Sequence, residues 1–421
     1  MKLKKYKLGD IAKIEISGVD KKTIEGETPV RLCNFVDVYY NWAITKEKAK
    51  SFMVASAKQT EIDKCSIGKG MVAITKDSET RDDIGVATYI ADDFEYVLLG
   101  YHCALITPNP AVVDGKYLNA FMHTRYIQKY FENNASGSGQ RYTLSNDTIG
   151  NIPVLIPSIE EQRTIGKVLA DIDRKIELNK LINDNLEAMA KQLYDYWFVQ
   201  FDFPNEEGKP YKSSGGAMVW NEKLKRKIPQ EWSNGILSDV ANITMGQSPD
   251  GSSYNEDGEG IIFYQGSTDF GLRFPDIRQY TTSPSRYANK GDILMSVRAP
   301  VGALNIANND CCIGRGLSAL SSKIGSMTHL YYLMNDFRLK FEGMNSAGTT
   351  FGSITKNELF SLPVIIPTKS VISEFEQVCE PIFYKQMIIG EEINALTKQR
   401  DELLPLLMNG QASVNYHLSD D

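Results

Sequence analysis

The chain has 421 residues, of which 42% are hydrophobic and 24% charged, and its formal net charge is −7 at pH 7. This length is enough for two to four domains, and no stretch approaches the roughly 20 apolar residues of a membrane-spanning helix. The start Met1–Lys7 is basic but lacks the apolar core of a secretion signal. We therefore expect a cytoplasmic protein that does not associate with a membrane.

The six cysteines include no Cys-x-x-Cys pair, and only four histidines are scattered along the chain. This pattern predicts reduced thiols and no metal site. Nucleic-acid-binding proteins usually carry a basic surface, so the acidic total charge by itself favours another class of protein. Net charge is a sum, however, and local basic groups can still line one face.

Residues 1–157 are predicted to form a first domain of mixed α and β structure. Short β-rich runs such as Val30–Val36 and Tyr101–Thr107 alternate with turns. A helix is predicted over Gly115–Phe131, and a loop rich in glycine and serine, Asn133–Tyr142, follows it.

Residues 158–200 are predicted to form one long helix that begins with a capping box of Ser158 and Glu161. One heptad position holds Ile165, Ile172, Asn179, Leu186 and Leu193, and another holds Val168, Lys175, Ile182, Met189 and Tyr196. This spacing predicts a coiled-coil seam in which Asn179 is a buried polar residue that can fix the register.

A polar connector, residues 201–232, leads to a second mixed domain, residues 233–367, in which a helix is predicted over Met327–Glu342. Residues 368–421 are predicted to form a second long helix and a tail. Its seven-residue repeat consists of Phe375, Ile382, Ile389, Leu396 and Leu403.

The two halves of the chain repeat each other at several places. The matched segments are Leu8–Ile14 with Leu237–Ile243, Lys69–Gly70 with Lys290–Gly291, Arg81–Val86 with Arg298–Ala303, and Asn151–Pro157 with Ser361–Pro367. The fold class predicted is therefore α+β, with two pseudo-repeated mixed α/β globular domains separated by two long helices that form a coiled coil. The irregular parts between the anchors do not match, which predicts two unlike recognition surfaces on one scaffold.

Catalytic sequence motifs are missing from the chain. It has no Gly-x-x-x-x-Gly-Lys-Ser/Thr loop, no glycine-rich turn typical of an adenosylmethionine site, and neither His-Glu-x-x-His nor Gly-x-Ser-x-Gly. We therefore expect that the chain is not an enzyme and has no catalytic residues.

Over essentially its whole length the chain resembles the specificity subunit of a type I restriction-modification system. The segments that carry the resemblance are Ile156–Arg163, Leu193–Phe198, Phe201–Gly208, Ile228–Trp232 and Leu403–Gly410. The second long helix departs from the first copy, because Ser370–Glu374 stands where the first has its Glu-Glu-Gln run.

The resemblance implies a division of labour between subunits. Each half would carry one target recognition domain, which reads one half of a bipartite, asymmetric site in double-stranded DNA, and the two helices would pair antiparallel. Two methylase subunits would use S-adenosylmethionine to methylate an adenine in each half-site, and restriction subunits would use ATP and Mg²⁺. The chain itself would bind no cofactor.

Bases are read by Arg, Lys, Asn or Gln on loops that enter the major groove, and phosphates are bound by basic and hydroxyl groups. The candidates in the first domain are Lys76, Arg81, Ser138, Gln140, Arg141 and Tyr142. Those in the second domain are Gln265, Arg298, Arg315, Thr349, Thr350 and Phe351. Arg81 and Arg298 recur at matched places in the two halves. The alternative hypothesis is an assembly scaffold whose two domains bind protein and not DNA.

Overall fold

The computed structural model describes residues 2–138, 141–346 and 352–414. The chain forms two compact units, Met1–Leu178 together with Asn394–Asp421, and Asn179–Ile393. Both boundaries fall inside long helices, so each long helix contributes one part to each unit. Each unit therefore combines one globular domain with a part of both helices.

The largest sheet of the first unit has five strands, in the order Ala12–Ile16, Cys103–Pro108, Val72–Thr75, Ala87–Ile90 and Ala43–Ile44. Neighbours are antiparallel except for the last pair, which is parallel. Two three-stranded sheets run in the orders Met53–Ala57, Thr28–Cys33, Val97–Leu99, and Ser136–Ser138, Arg141–Thr143, Asp77–Ser78. A further pair joins Lys4–Lys7 to Pro153–Ile156.

The helices of this domain are Leu8–Ile11, Phe35–Tyr39, Lys46–Ala49, Gln59–Cys65, Gly115–Met122, Arg125–Asn134 and Asn146–Gly150. The prediction of one helix over Gly115–Phe131 is wrong, because the helix is broken at Thr124. The Thr124 hydroxyl donates to the Phe121 carbonyl at 2.7 Å, and its own carbonyl accepts from the N–H groups that open the next helix. Threonine favours such local bonds at helix ends, and apolar periodicity alone does not reveal them.

The second unit contains a four-stranded sheet in the order Ala241–Met245, Leu317–Ser322, Ile293–Ser296 and Leu304–Ile306. A five-stranded sheet has the order Tyr254–Asn255, Gln279–Thr281, Ile261–Tyr264, Cys311–Ile313 and Tyr287–Ala288. Two further pairs join Ser233–Ile236 to Pro363–Ile366 and Met218–Asn221 to Arg226–Pro229. The short helices are Leu237–Val240 and Lys356–Phe360, with 3-10 turns at Gly251–Ser253 and Ser267–Asp269. The predicted helix over Met327–Glu342 is confirmed as Met327–Ser346.

The sequence repeat is also a structural repeat. Gly70 and Gly291 both have a positive φ, of 92° and 94°. In both halves the lysine before this glycine donates its backbone N–H to an aspartate, Asp93 at 3.0 Å and Asp310 at 2.8 Å. The same turn is therefore built from the same bonds in both domains, as the matched Lys-Gly pairs predict.

The central helix covers Ile159–Tyr194 and ends in a π-helical turn, Asp195–Val199; the second long helix covers Lys369–Met408. The capping box is confirmed, because the Glu161 N–H donates to the Ser158 hydroxyl at 3.3 Å and the Ser158 N–H donates to the Glu161 carboxylate at 3.1 Å.

Of the two heptad positions predicted for the central helix, the first is confirmed and the second is wrong. In the first, Ile165 and Asn179 are buried, and Ile172, Leu186 and Leu193 are half-buried. Ile182 and Met189, which the heptad assignment puts in the seam, are 45% and 53% exposed. The second buried position at seven-residue spacing holds Leu169, Ile176, Asn183 and Ala190 instead. This position holds the polar Asn183 and the small Ala190, which a choice made by hydrophobicity alone passes over in favour of Ile182 and Met189. The predicted repeat of the second long helix does lie on a buried or half-buried face, with Phe375 and Ile389 fully buried.

Candidate nucleic-acid interface

In the first unit, strand pairing brings together candidate residues that are far apart in the sequence. The strand Asp77–Ser78 pairs antiparallel with Arg141–Thr143, so that Tyr142 lies opposite Ser78. Lys76 precedes the first of these strands, and Arg81 follows it in the loop. Lys76, Arg81, Arg141 and Tyr142 therefore belong to one small sheet and the residues next to it.

A buried carboxylate organises the basic side chains of this sheet. Asp77 Oδ2 lies 3.1 Å from Lys76 Nζ, 2.6 Å from His102 Nδ1 and 3.1 Å from Arg141 Nη2, and Arg141 also contacts the His102 ring. Burial would raise the pKa of Asp77, but hydrogen bonds from Thr143, His102 and Lys76 outweigh it and lower that pKa to about 2. Asp77 therefore stays ionised and holds the cationic groups in place.

Arg81 is oriented by an aromatic ring. Its guanidinium carbon lies 5.0 Å from the centre of the Tyr142 ring, at cation–π distance. The Tyr142 ring is half-buried and packs against the main core cluster of the unit. Tyr142 thus supports Arg81, and whether either residue contacts DNA stays a prediction.

In the second unit, Gln265, Arg298 and Arg315 line one depression of about 210 Å³, together with Ser267, Thr268 and Ser296. All three candidate side chains are exposed, and each follows the end of a strand. Glycines allow these loops to come close: a Cβ at Gly316 would lie 2.6 Å from the Gln265 carbonyl oxygen. Three candidates chosen from separate parts of the sequence therefore converge on one surface.

Arg81 and Arg298 occupy equivalent positions in the two units. Each is followed four residues later by a glycine with positive φ, Gly85 at 81° and Gly302 at 89°. A Cβ at either glycine would collide with a phenylalanine of a following helix, at 2.2 Å in the first unit and 2.9 Å in the second. The same packed turn thus precedes the helix region in both domains and carries an arginine at its start.

The remaining candidates are less informative. Gln140, Thr349, Thr350 and Phe351 lie outside the described residues. Ser138 belongs to the strand that pairs with Arg141. Sequence reasoning missed Asp77 and His102: Asp77 adjoins Lys76 and could have been noticed, whereas nothing in the sequence links His102 to them.

Within the described part of the chain, no group of three or more His, Cys, Asp or Glu side chains is placed to hold a metal ion. No helix described is long and apolar enough to cross a membrane. All six cysteines are buried and without a disulfide.

The fold and these surfaces define a duplicated recognition protein, with two similar α+β domains that each expose a group of arginine and polar side chains. A family model of the type I restriction modification DNA specificity domain matches residues 2–188 and 229–399. The chain therefore belongs to the family of type I restriction-modification specificity subunits.

Several relatives are similar over most of their length. A putative type I restriction enzyme MjaX specificity subunit of Methanocaldococcus jannaschii is 29% identical over 86% of this chain and 83% of its own. The HindI specificity subunit of Haemophilus influenzae is 23% identical over 79% and 85%. The crystal structure of the S subunit of a type I restriction-modification system from M. genitalium shares the fold, with a TM-score of 0.59, 15% identity and 96% of each chain covered. The comparisons favour a DNA-specificity subunit over a protein-binding scaffold.

Proposed function

We propose that this chain determines the DNA target of a type I restriction-modification complex, each of its domains reading one half of a bipartite, asymmetric site. The observation that carries the proposal is the equivalence of Arg81 and Arg298, exposed at the same turn of two otherwise different loop surfaces. Arginine and glutamine read guanine and adenine by paired hydrogen bonds in the major groove. The convergence of Gln265, Arg298 and Arg315 on one depression supports base reading in the second half-site.

The acidic net charge does not oppose this function, because the cationic groups are concentrated locally. Lys76 and Arg141 are gathered around one carboxylate in the first unit. Phosphate contacts depend on such local groups and on partner subunits, and not on the sum over the chain. We include Ser138, Gln140, Tyr142, Thr349, Thr350 and Phe351 in the proposed contact loops.

We propose further that the two long helices pair antiparallel as a spacer. In the first unit Arg400 Nη1 lies 3.5 Å from Asp173 Oδ1. In the second unit Asn179 donates to Glu392 at 2.9 Å, and Gln386 donates to Glu187 at 2.7 Å. Partner numbers fall along one helix as they rise along the other, which supports an antiparallel pair. The 36 residues of the central helix span about 54 Å at 1.5 Å per residue, which exceeds the about 34 Å of one DNA turn.

Catalysis, in this proposal, belongs to partner subunits. Two methylase subunits would methylate one adenine in each half-site with S-adenosylmethionine, and restriction subunits would require ATP and Mg²⁺. The exposed apolar side chains Leu181, Ile182 and Met189 of the central helix support a docking surface for a partner helix. The complex would act in the cytoplasm, where its DNA is.

Selection of duplexes from a random pool by the complex of this chain with its methylase subunits tests the proposal. We expect two short sequence blocks at a fixed separation, with an affinity that falls as salt is raised. Arg81→Gln is expected to relax only one block and Arg298→Gln only the other, while Arg125→Gln, an exposed arginine outside both sites, changes neither. Binding without sequence preference would instead support the protein scaffold.

A further inference from the structure

A buried arginine connects the recognition domain of the second unit to both long helices. Arg273 lies in the domain, and its side chain is only 4% exposed. Nη1 donates to Glu187 of the central helix at 3.0 Å, and Nη2 donates to Gln386 of the second long helix at 3.1 Å. Its guanidinium carbon also lies 4.9 Å from the ring centres of Tyr331 and Phe383.

The first unit contains a related connection with its direction reversed and with a more exposed arginine. Arg400 lies on the second long helix and is 19% exposed; it contacts Asp173 of the central helix at 3.5 Å and Asp401 of its own helix at 3.0 Å. Its guanidinium carbon is 5.0 Å from the ring centre of Trp42 in the recognition domain. Trp42 stacks on His123 at 4.3 Å. The Trp42 carbonyl accepts from the Tyr89 N–H at 2.9 Å, so the backbone that carries this ring is joined to the main sheet.

A buried arginine is an unusual way to hold a domain on a helix, because burying a charge is costly unless it is paired. An apolar contact of the same size would stabilise at least as well, but it lacks direction and tolerates sliding and rotation. The planar guanidinium forms hydrogen bonds in fixed directions and stacks on rings, so it specifies an angle. The two connections therefore fit a role in orientation better than one in stability alone.

We propose that Arg273 and Arg400 are positioning residues that fix the orientation of each recognition domain on the helices and thereby the number of base pairs between the half-sites. The inference rests on the function proposed above. One base pair more or less displaces a half-site by about 3.4 Å along the duplex and rotates it by about a tenth of a turn. A domain held at a fixed angle rejects such a site, and a domain free to pivot accepts it.

The reversed direction has a consequence for the exchange of domains. Arg273 is replaced together with the second domain, so a new second domain keeps the spacing only if it supplies a cation that reaches Glu187 and Gln386. Arg400 remains on the helix when the first domain is exchanged. A new first domain then needs only an aromatic ring in the place of Trp42.

The test uses the full chain in complex with its methylase subunits and measures affinity and adenine methylation on duplexes with the selected spacer and with one base pair more or less. For Arg273→Gln we expect the preference for the selected spacer to fall by about tenfold, with the bases read in each half unchanged. Lys290→Gln is the matched control: Lys290 forms another ion pair with the second long helix, to Glu391 at 3.7 Å, but both side chains are more than half exposed. This control is expected to keep the wild-type preference.

A double variant that exchanges the carboxylate and the amide facing Arg273 distinguishes a loss of positioning from a loss of folding. Glu187→Gln is expected to lose the spacer preference, and the double variant Glu187→Gln with Gln386→Glu is expected to restore it, because one carboxylate and one amide again face Arg273. Arg273→Lys keeps the charge but not the two-pronged geometry, and we expect an intermediate preference.

An unchanged spacer preference in folded Arg273→Gln overturns the inference. If Arg273→Gln does not fold, either of two other results overturns the inference. One is a wild-type spacer preference in Arg273→Lys, and the other is a double variant that does not restore the preference lost in Glu187→Gln. A wild-type complex that does not discriminate between spacers contradicts the function proposed above, and not the positioning role alone.

Discussion

Asp77 is the residue on which the geometry of the first candidate interface depends. Its carboxylate accepts from Lys76 and Arg141 and contacts His102, so that three side chains share one buried anion. Charge-assisted hydrogen bonds of this kind are about twice as strong as neutral ones. Without the charge, the basic side chains lose their common anchor and regain conformational freedom.

We expect Asp77→Asn to weaken binding to the half-site of the first domain by about tenfold, because the basic side chains must then be ordered by the DNA. Asp83→Asn is the control: it changes the net charge by the same amount, in an exposed aspartate of the same loop. Competition binding with duplexes mutated in one half-site at a time measures the effect. Equal affinities for the two variants would contradict the organising role of Asp77.

His329 couples the stability of the second unit to pH. It is 2% exposed and its ring lies 4.5 Å from that of Phe198, centre to centre. Burial lowers the pKa of His329 from 6.5 to about 3. The unfolded chain therefore binds a proton that the folded one does not, and stability is lost as the pH falls from 6.5 towards 3.

We expect His329→Phe to remove part of this acid sensitivity. Between about pH 6 and pH 5, the wild-type unfolding free energy should fall by up to about 1.4 kcal/mol per pH unit more than that of the variant. Hydrogen exchange of the helix Met327–Ser346 at several pH values measures the difference for this unit. Parallel pH dependences in the two proteins would show that His329 is not the group responsible.

The turn glycines show at the level of elements why the two halves repeat. Gly70 has a positive φ and open space around the position of a Cβ, whereas a Cβ at Gly85 would lie 2.2 Å from the Phe131 ring. The first glycine is required by its backbone conformation alone, and the second by both conformation and packing. The sequence repeat is therefore retained where the backbone has no alternative.

We expect Gly70→Ala to lower the unfolding free energy by about 1 to 2 kcal/mol and Gly85→Ala by about 3 kcal/mol or more, since overpacking adds to the left-handed strain. Urea unfolding of the two variants side by side gives the comparison. A similar loss for both would mean that Phe131 moves away at little cost.

The elements differ in how far the sequence determines them. The matched segments predicted the repeat, the seven-residue spacing predicted both long helices, and Ser158 with Glu161 predicted the capping box, because all of these depend on local patterns. The first heptad position of the central helix was assigned correctly and the second wrongly, because the second buried position contains the polar Asn183, which a hydrophobic pattern does not select. The break at Thr124 depends on one side-chain hydrogen bond, which periodicity does not register.

The candidate interface could be predicted only in part from the sequence. Arg81 and Arg298 could be chosen because they recur at matched places, and Arg315 because it lies between Gly314 and Gly316. The cluster around Asp77 could not, since it forms only when strand pairing and the turn at His102 bring distant segments together. Residues of this kind become visible only in the folded chain.

For the whole molecule, we propose that one chain carries two recognition domains on a single spacer and that each domain reads its own half-site independently. Sequencing adenine methylation across a host genome, with and without this gene and in the presence of the neighbouring methylase gene, tests this claim most directly. We predict a split motif with one methylated adenine in each half and a fixed gap, which disappears when the gene is deleted. Replacement of residues 1–157 by those of another specificity subunit should then change one half of the motif and leave the other intact. An unchanged pattern of methylation after deletion would contradict the account.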